Sequence, residues 1–388
     1  MLIFLSHHPK ARTGAHFRFD RLLQGAVAEG RETVWLSPAR EDLPAPEGLT
    51  HWELHGPRWI PGRALRAVWG VWRQRHRLRG LQCTPARLVI FTETLYLAAL
   101  LAVRLSGAEL VVASRSNLLR RHAIRQSMRR NPLSRAYHGL GHVLARRIWA
   151  HTLHRAARVI VQSPTAREQL QAAYGLPDER LCVVENDVPQ LPAAPRDDLP
   201  QTPGRLLYIG SGSPLKGLDI LLGALHQLPD RAPSVRAVTI VGVKERSVRR
   251  ALRGADASLP EIQVVPRTSG IYALMREHDL LVVPSREDQF PNALLEALAC
   301  GTPAIGSRRD GIPHILGEKP LLFEPSPEDL VCCLARVATP QGYAAAAHAC
   351  AEARERLSFN WEQRFLDAAT DGAGRAPARK GSMTPRGN

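Results

Sequence analysis

Residues 284–306 read PSREDQFPNALLEALACGTPAIG, and this stretch decides how the chain folds. It follows an apolar run, LLVV, that has the length and branching of a buried strand. Pro291 suits the first turn of a helix, because proline there loses no hydrogen bond and already has a helical φ angle. Gly301 ends the helix, and a second short apolar run follows. The stretch therefore predicts strand, loop, helix and strand, the repeating unit of a parallel α/β sheet.

Two acids flank the start of the predicted helix 292–300. Asp288 lies in the preceding loop, and Glu296 lies on a helix that is otherwise apolar. Because an unpaired buried carboxylate is costly, Glu296 needs either a basic partner or a ligand across a cleft. The free amides near Asn292 would suit an anion. Two interpretations stay open: a ligand-binding cleft edge, and a capped surface loop with a salt-bridged helix residue.

A second glycine-bearing loop occurs in RLLYIGSGSPLKG, residues 205–217. Gly210, Ser211 and Gly212 follow a predicted strand, and Lys216 adds a positive charge before the next helix. The pattern matches neither the full Rossmann fingerprint nor the P-loop, and alone it suits a flexible turn with a solvated lysine better. Its value lies in the pairing with residues 284–306, because both loops follow strands of one domain. A diphosphate site beside two carboxylates predicts a nucleotide-sugar ligand.

Alternating strands and helices run along all 388 residues. This length exceeds what one core usually organises, and we predict two doubly wound α/β domains over residues 1–190 and 191–358. Residues 188–203 are proline-rich without periodicity, which is typical of an interdomain linker. An amphipathic helix is predicted over 359–370, and the tail 371–388 is predicted to be disordered.

Several polar residues are predicted at the carboxyl ends of first-domain strands, where a cleft would lie. Gly14, His16 and Arg18 follow the first predicted strand, and Arg115 follows the strand ELVVA. We take Gly14, His16 and Arg115 as candidates for the acceptor side of the cleft.

The positive charge lies in the first half of the chain. Residues 1–190 hold 28 Lys and Arg against 14 Asp and Glu, whereas the remainder holds 24 against 22. A helix predicted over 63–80 combines arginines with Trp69 and Trp72, so it would either lie on an anionic bilayer or pack its apolar stripe on the sheet. Nucleic-acid binding is disfavoured, because the chain lacks the corresponding aromatic and zinc-finger motifs and has 5% aromatic residues.

The remaining features predict a cytoplasmic protein that associates peripherally with the inner membrane face. Six cysteines show no CxxC pair or regular spacing, and we expect reduced thiols. The start MLIFLSHHPK lacks the pattern of a signal peptide, and the longest apolar region is interrupted by Glu93 and Arg104.

Several segments together resemble the retaining glycosyltransferases of family 4, which have the GT-B fold of two Rossmann-like domains facing one cleft. YIGSGSPLKGLDILL is similar to the family's diphosphate loop, and residues 284–306 are similar to its paired-acid element. VIVQS and CVVEN are similar to the end of its first domain, and FNWEQRF to the final helix that crosses back to that domain. The resemblance covers nearly the whole chain.

Carried over by position, the resemblance implies that Lys216 binds the donor diphosphate, Glu296 holds the ribose and Asp288 contacts the transferred sugar. Lys216 and Asp288 are thereby the catalytic candidates, and Glu287 competes with Asp288 for its role. The other donor-binding candidates are Gly210, Ser211, Gly212, Phe290, Asn292 and Arg267.

The chain departs from the family pattern at three places. Ser211 replaces an arginine, so Arg267, Arg286 or Arg115 would supply one diphosphate charge. Arg115 also stands at the position of the family's first-domain histidine, and His314 at that of a glutamate.

The resemblance implies transfer of a sugar, with retention, from a nucleotide sugar to a lipid-linked or polysaccharide acceptor in a bacterial surface glycan such as lipopolysaccharide, exopolysaccharide or capsule. We expect an anionic membrane surface as a further partner, and neither nucleic acid, cofactor nor metal, since Lys216 and helix N-termini would stabilise the diphosphate. The alternatives are a GT-B epimerase or phosphorylase and, more remotely, a basic nucleic-acid-binding protein.

Overall fold

The protein is described here by a computed structural model. The described residues are 1–6, 14–37, 47–57, 60, 62–91, 95–127, 132–253, 259–317 and 320–370, without the side chains of 14–17 and 132–142. The predicted tail 371–388 lies outside these residues.

The first domain is a parallel sheet of seven strands in the order β3-β2-β1-β4-β5-β6-β7. Its strands are β1 (Leu2–Leu5), β2 (Thr33–Ser37), β3 (Thr50–Glu53), β4 (Arg87–Ile90), β5 (Glu109–Ser114), β6 (Arg158–Val161) and β7 (Leu181–Val183). Its helices are α1 (Gly14–Ala28), α2 (Arg63–Arg73), α3 (Arg75–Arg79), α4 (Tyr96–Ser106), α5 (Leu118–Ser127), α6 (Pro132–Arg155) and α7 (Pro164–Tyr174).

The second domain is a parallel sheet of six strands in the order β10-β9-β8-β11-β12-β13. Its strands are β8 (Arg205–Ile209), β9 (Ala237–Val241), β10 (Glu261–Val265), β11 (Leu280–Val283), β12 (Ala304–Ser307) and β13 (Leu322–Phe323). The helices that follow β8 are α8 (Leu218–Ala224), α9 (Leu228–Arg231), α10 (Glu245–Ala251), α11 (Ile271–Glu277), α12 (Asn292–Cys300), α13 (Ile312–Leu316), α14 (Pro327–Val337), α15 (Pro340–Arg356) and α16 (Trp361–Thr370). The predicted class, two doubly wound α/β domains, is confirmed.

The central strands are apolar because helices cover both faces of each sheet. In β1, Ile3 and Leu5 belong to the buried cluster beneath α2, α4 and α6, whereas Phe4 belongs to the cluster beneath α1 and α16. The second sheet and its helices form one continuous core.

The last helix, α16, packs on the first domain although it follows the second in sequence. Phe365 and Leu366 are buried with Phe4 beneath α1. Arg21 of α1 donates a hydrogen bond from Nη2 to Oε2 of Glu362 at 2.9 Å. The chain therefore crosses between the domains twice, once near residues 188–203 and once before α16.

The order of the strands in the second sheet indicates where a ligand site would lie. In the second sheet β8 lies between β9 and β11, so the direction of the chain's progress across the sheet reverses between β8 and β11. Ligands of open α/β sheets bind outside the carboxyl ends of the strands at such a reversal. The two loops found in the sequence follow these two strands.

In the described ranges, no helix is both long enough and apolar enough to cross a bilayer. The longest apolar region of the sequence contains α4, which packs between α2 and α6.

Candidate functional site

The loop after β8 is held against the loop after β11 by a glycine. Gly217 has a left-handed backbone, with φ of 64°, and a Cβ there would lie 1.9 Å from the Pro284 carbonyl oxygen. Only glycine permits both this conformation and this approach. Ser213 caps the short 3-10 turn Pro214–Lys216 by accepting a hydrogen bond from the Leu215 amide. The loop therefore presents Lys216 directly beside the acidic loop.

Lys216 and Asp288 form an ion pair between Nζ and Oδ2. Burial alone would lower the pKa of Lys216, but the Asp288 carboxylate outweighs burial and raises it. Lys216 is thus protonated at neutral pH and its charge is directed at Asp288. The two catalytic candidates from the sequence meet at one point.

Glu287 faces the first domain. Its Oε1 accepts a hydrogen bond from the Asn117 amide at 3.1 Å, and its Oε2 lies 3.8 Å from Nε of Arg121. Burial raises the pKa of the Glu287 carboxyl to about 7, because these contacts replace its hydration only in part. The neighbouring acids therefore differ in role: Asp288 holds Lys216, and Glu287 contacts α5 across the cleft.

Asp310 organises the acidic loop, and it is not among the site residues predicted from the sequence. Its Oδ2 accepts a hydrogen bond from the Asp288 amide at 2.9 Å, and its Oδ1 accepts one from Nη1 of Arg120 at 2.8 Å. It is buried and adopts a left-handed φ of 49°, which is uncommon for a residue with a side chain. An aspartate followed by glycine after β12 was the available signal.

The start of α12 and the loop before it carry polar groups that have no partner among the described residues. Glu296 is half-buried and has no hydrogen bond or ion pair to any residue in the described part of the chain. Burial raises the pKa of its carboxyl, and Arg18 opposes this shift. The Asn292 Oδ1 and both amide atoms of Gln289 are also buried without a partner there. Buried donors and acceptors that lack a partner indicate a place where a ligand forms the hydrogen bonds.

The amides at the start of α12 are oriented for an anion. The first intrahelical bond runs from Leu294 to the carbonyl oxygen of Pro291, at 3.2 Å, so the amides of Asn292 and Ala293 precede it. Phe290 is buried in the core of the second domain and supports this helix from beneath. Its direct contact with a donor stays a prediction.

Two arginines of the first domain, Arg18 and Arg115, lie near each other, and the charge of Arg18 acts on Glu296 of α12. Arg18 is buried, forms an ion pair with Asp187 and lies over the Trp361 ring at 5.1 Å. Burial, and then the charge of Arg18, lowers the pKa of Arg115 to about 9. Within the described ranges, no hydrogen bond or ion pair to Arg115 is present. The two guanidiniums thus give this side of the cleft a positive charge.

The other candidates occupy different surroundings. Gly14 and His16 lie in the first turn of α1, at the carboxyl end of the sheet. Arg286 donates two hydrogen bonds of 2.7 Å to Asp219, so these donors are already used within the protein. Arg267 is exposed after β10.

The backbone of the first loop is closely packed. Gly210 donates its amide to Val241 at 3.1 Å, and a Cβ on Gly210 would lie 2.6 Å from the Tyr208 hydroxyl oxygen. The Tyr208 hydroxyl in turn donates to the carbonyl oxygen of Ser211 at 3.4 Å. Gly212 has room around it, with Val243 3.7 Å from the position of an added Cβ.

A cavity of about 550 Å³ lies away from this cleft, at the amino ends of β8, β9 and β10. It is lined in part by Arg196, Arg205 and Glu261. Lys216, Asp288, Glu296 and the other candidate residues do not line this cavity, so the candidate site is at the carboxyl ends of the strands. In the described part of the chain, no group of three or more His, Cys, Asp or Glu side chains is placed to hold a metal ion.

Two family models match the chain. The model described as Glycosyltransferase Family 4 matches residues 13–189, and the model described as Glycosyl transferases group 1 matches residues 203–339. Together the two matches cover most of both domains.

One curated relative is the D-inositol 3-phosphate glycosyltransferase of Pseudarthrobacter chlorophenolicus. It is 31% identical over 177 residues, which are 42% of this chain and 42% of that protein. The match thus spans less than half of the relative's length.

Solved structures show the same fold over nearly the whole chain. Sucrose-phosphate synthase from Thermosynechococcus elongatus matches with a TM-score of 0.70 and 19% identity, covering 94% of this chain and 96% of that one. Anabaena HepE in complex with UDP and glucose matches with a TM-score of 0.68 and 15% identity, covering 94% and 98%. At such identities the likeness is one of fold, the two-domain GT-B arrangement.

Proposed function

Because the chain belongs to the family 4 glycosyltransferases and has the GT-B fold, we propose that it transfers a sugar from a nucleotide-sugar donor, with retention, to a glycan acceptor. The observation that carries this proposal is the meeting of Lys216 and Asp288 beside the free start of α12. The bound UDP and glucose of the structural neighbour HepE support a nucleoside diphosphate sugar as the donor class.

Each group at the site has a part in this proposal. Lys216 and the first amides of α12 hold the diphosphate, which gains negative charge as the bond to the sugar breaks. Glu296 accepts hydrogen bonds from the ribose hydroxyls, which fits its lack of a partner in the described structure. Asp288 contacts the transferred sugar once the diphosphate has taken over part of the Lys216 charge.

Charge stabilisation of this kind requires no bound cation in the proposed mechanism. Each electrostatic contact that strengthens in the transition state typically lowers the barrier by about 2.7–4 kcal/mol. Lys216 is suited to this because its raised pKa keeps it charged at neutral pH.

For the acceptor we propose a lipid-linked or polysaccharide glycan of the bacterial surface, reached from an anionic membrane face. The support is the charge of the first domain, where residues 1–190 carry 28 Lys and Arg against 14 Asp and Glu. Arg115, which is half-buried and has no hydrogen-bond or ion-pair partner in the described chain, is our candidate for the acceptor side of the cleft. The curated relative acts, by its name, on a phosphorylated acceptor, which agrees with a basic acceptor side.

A thermal-shift screen with UDP-, GDP-, ADP- and dTDP-sugars tests the donor assignment. One nucleotide class should raise the melting temperature, because a ligand at a hundredfold excess over its Kd stabilises the native state by about 2.7 kcal/mol. Lys216→Ala and Glu296→Ala should each abolish most of this shift, whereas Glu355→Ala, an exposed acid on α15, should leave it unchanged.

An unchanged melting temperature with all four donor classes contradicts the proposal. A full shift in Glu296→Ala would instead show that this carboxylate is a structural residue of α12. Incubation of the stabilising donor with anionic glycan acceptors, followed by detection of released nucleoside diphosphate, then tests transfer.

A further inference from the structure

Two cations of the second domain beside the proposed diphosphate site, Lys216 and Arg286, are already paired with carboxylates. Lys216 is paired with Asp288, and Arg286 is paired with Asp219. Glu287 adds a further carboxylate next to Asp288, and its charge also acts on Lys216. Asp288, Asp219 and Glu287 therefore compete with a diphosphate for these two cations.

Helix α5 of the first domain brings more positive charge to this site. It packs against the turn Pro214–Lys216, so its first turns lie over the diphosphate loop. Arg120 is occupied, since it donates to Asp310 at 2.8 Å. Arg121 is close enough for its charge to act on Lys216.

Arg121 is only loosely held. Its Nε lies 3.8 Å from Oε2 of Glu287, beyond hydrogen-bond distance, and its side chain is 32% exposed. In the described structure its guanidinium donates no hydrogen bond, in contrast to Arg120 and Arg286. Several N–H donors of Arg121 are thus available beside the turn that carries Lys216.

We propose that Arg121 binds the donor diphosphate from the first domain, leaving Glu287 for the phosphate oxygens when the donor enters. This inference rests on the proposed function and deepens it. Arginine suits the role because its planar fork of donors matches phosphate oxygens. The donor is then held by both domains, through Arg121 of α5 and through Lys216 of the adjacent turn.

Isothermal titration with the nucleoside diphosphate of the base selected by the thermal screen, and with the corresponding nucleoside, tests this inference. Arg121→Gln should weaken binding of the nucleoside diphosphate about 10- to 100-fold, the factor that corresponds to losing hydrogen bonds to a charged group. Binding of the nucleoside should change less than about twofold, since it lacks the phosphates. Acceptor is absent, so a loss reports on the donor site.

Two further variants keep the test decisive. Arg125→Gln, an exposed arginine of the same helix, should bind like the wild type. Glu287→Gln should bind the nucleoside diphosphate more tightly, because it removes the carboxylate that competes for Arg121 while its amide oxygen still accepts from Asn117. If Arg121→Gln fails to fold, the binding of the nucleoside diphosphate by Glu287→Gln still tests the inference.

Equal binding of the nucleoside diphosphate by wild type, Arg121→Gln and Glu287→Gln overturns the inference and leaves the proposed function intact. Parallel loss of nucleoside binding in Arg121→Gln also overturns it, because Arg121 would then act on the shape of the site. Absence of binding by the wild type, with every base tested, overturns the proposed function together with the inference.

Discussion

At the scale of single residues, Glu287 carries a charge that the fold disfavours. Arg121 and the Asn117 amide stabilise its ionised form, but burial and the neighbouring Asp288 and Asp310 oppose it. Its pKa therefore lies at about 7 in the folded protein, against 4.5 as the ordinary value. The unfolded chain ionises this group more readily, so ionisation costs folding free energy.

The pH dependence of Glu287→Gln follows from this difference. Below pH 4.5 both states are protonated and the variant should match the wild type. As pH rises from 4.5 through 7 the wild type loses stability relative to the variant, by on the order of 3 kcal/mol above pH 7. Urea unfolding of both proteins at pH 4.5, 6 and 8 measures this difference in the free energy of unfolding.

Glu355→Gln serves as the control, because Glu355 is exposed and its substitution should be neutral at every pH. If Glu287→Gln is no more stable than the wild type at pH 8, then the contacts from Asn117 and Arg121 compensate for the burial of the carboxylate completely.

The residues of the site were predictable to different degrees. Lys216 and Asp288 follow strands at a sheet reversal, so their loops were expected to meet, and their ion pair shows that they do. Arg121 could not be assigned from the sequence, since it acts on the opposite domain, and the glycine after Asp310 was the only signal for that residue. In the sequence Arg121 was one of many arginines in a basic run, and only the packing of α5 distinguishes it.

At the scale of elements, strong sequence patterns predicted the helices and strands correctly, whereas weak patterns did not. The helix 292–300 was predicted with its observed ends because Pro291 and Gly301 mark them. The edge strand β3 (Thr50–Glu53) was not predicted, because it pairs with one neighbour only and is partly exposed, so it lacks an apolar run. The basic region that begins at residue 118 contains two helices, α5 and α6.

Helix α2 shows an unusual distribution of side chains. Ala67 and Gly70 face inward, and a Cβ on Gly70 would lie 2.8 Å from Cβ of Leu54, so small residues are needed there. The larger apolar residues Leu65 and Trp72 are 50% and 43% exposed. The inward stripe does pack on the domain, but a second apolar stripe remains on the surface among arginines.

We therefore expect α2 to contribute to binding of anionic vesicles. The wild type should sediment with vesicles that contain anionic lipid and not with neutral vesicles, since each basic side chain near the surface contributes about 1 kcal/mol. The variant Leu65→Ser with Trp72→Ser should bind at least about tenfold more weakly, because apolar insertion is lost. Co-sedimentation at low and moderate salt measures both effects.

Arg249→Gln on α10 of the second domain is the matched control, since Arg249 is 79% exposed and lies outside the basic domain. It should bind vesicles like the wild type. Equal sedimentation with anionic and neutral vesicles, or with neither, would mean that the basic surface serves an anionic acceptor in solution, and the lipid-linked acceptor would lose its main support.

At the scale of the whole molecule, the sequence predicted two domains facing a cleft, but not how the cleft is closed. The alternation of strands and helices determines each sheet separately. The contacts between domains come from loops, from α5 and from single side chains on other helices, and no periodic pattern in the sequence marks them. Thr165 of α7 and His314 of α13 illustrate this, because their side chains are 2.9 Å apart although 149 positions separate them.

The pair of Arg120 and Asp310 is the best placed of these contacts to hold the domains together. The Asp310 carboxylate is fully buried, and Arg120 reaches it from α5 across the cleft. Removing one partner of a buried pair typically costs about 3 kcal/mol or more. In Arg120→Gln the domains can avoid this cost by separating, so that water solvates Asp310.

Arg120→Gln should accordingly increase the radius of gyration measured by small-angle scattering, and the selected donor should bind about tenfold or more weakly, since closing the cleft would then cost at least 1.4 kcal/mol. Arg125→Gln should scatter like the wild type. The double variant Arg120→Gln with Asp310→Asn should return towards the compact state, because a neutral amide costs less to bury than a lone carboxylate. A radius unchanged in Arg120→Gln, together with a lower melting temperature, would show that the pair stabilises the acidic loop and does not hold the domains together.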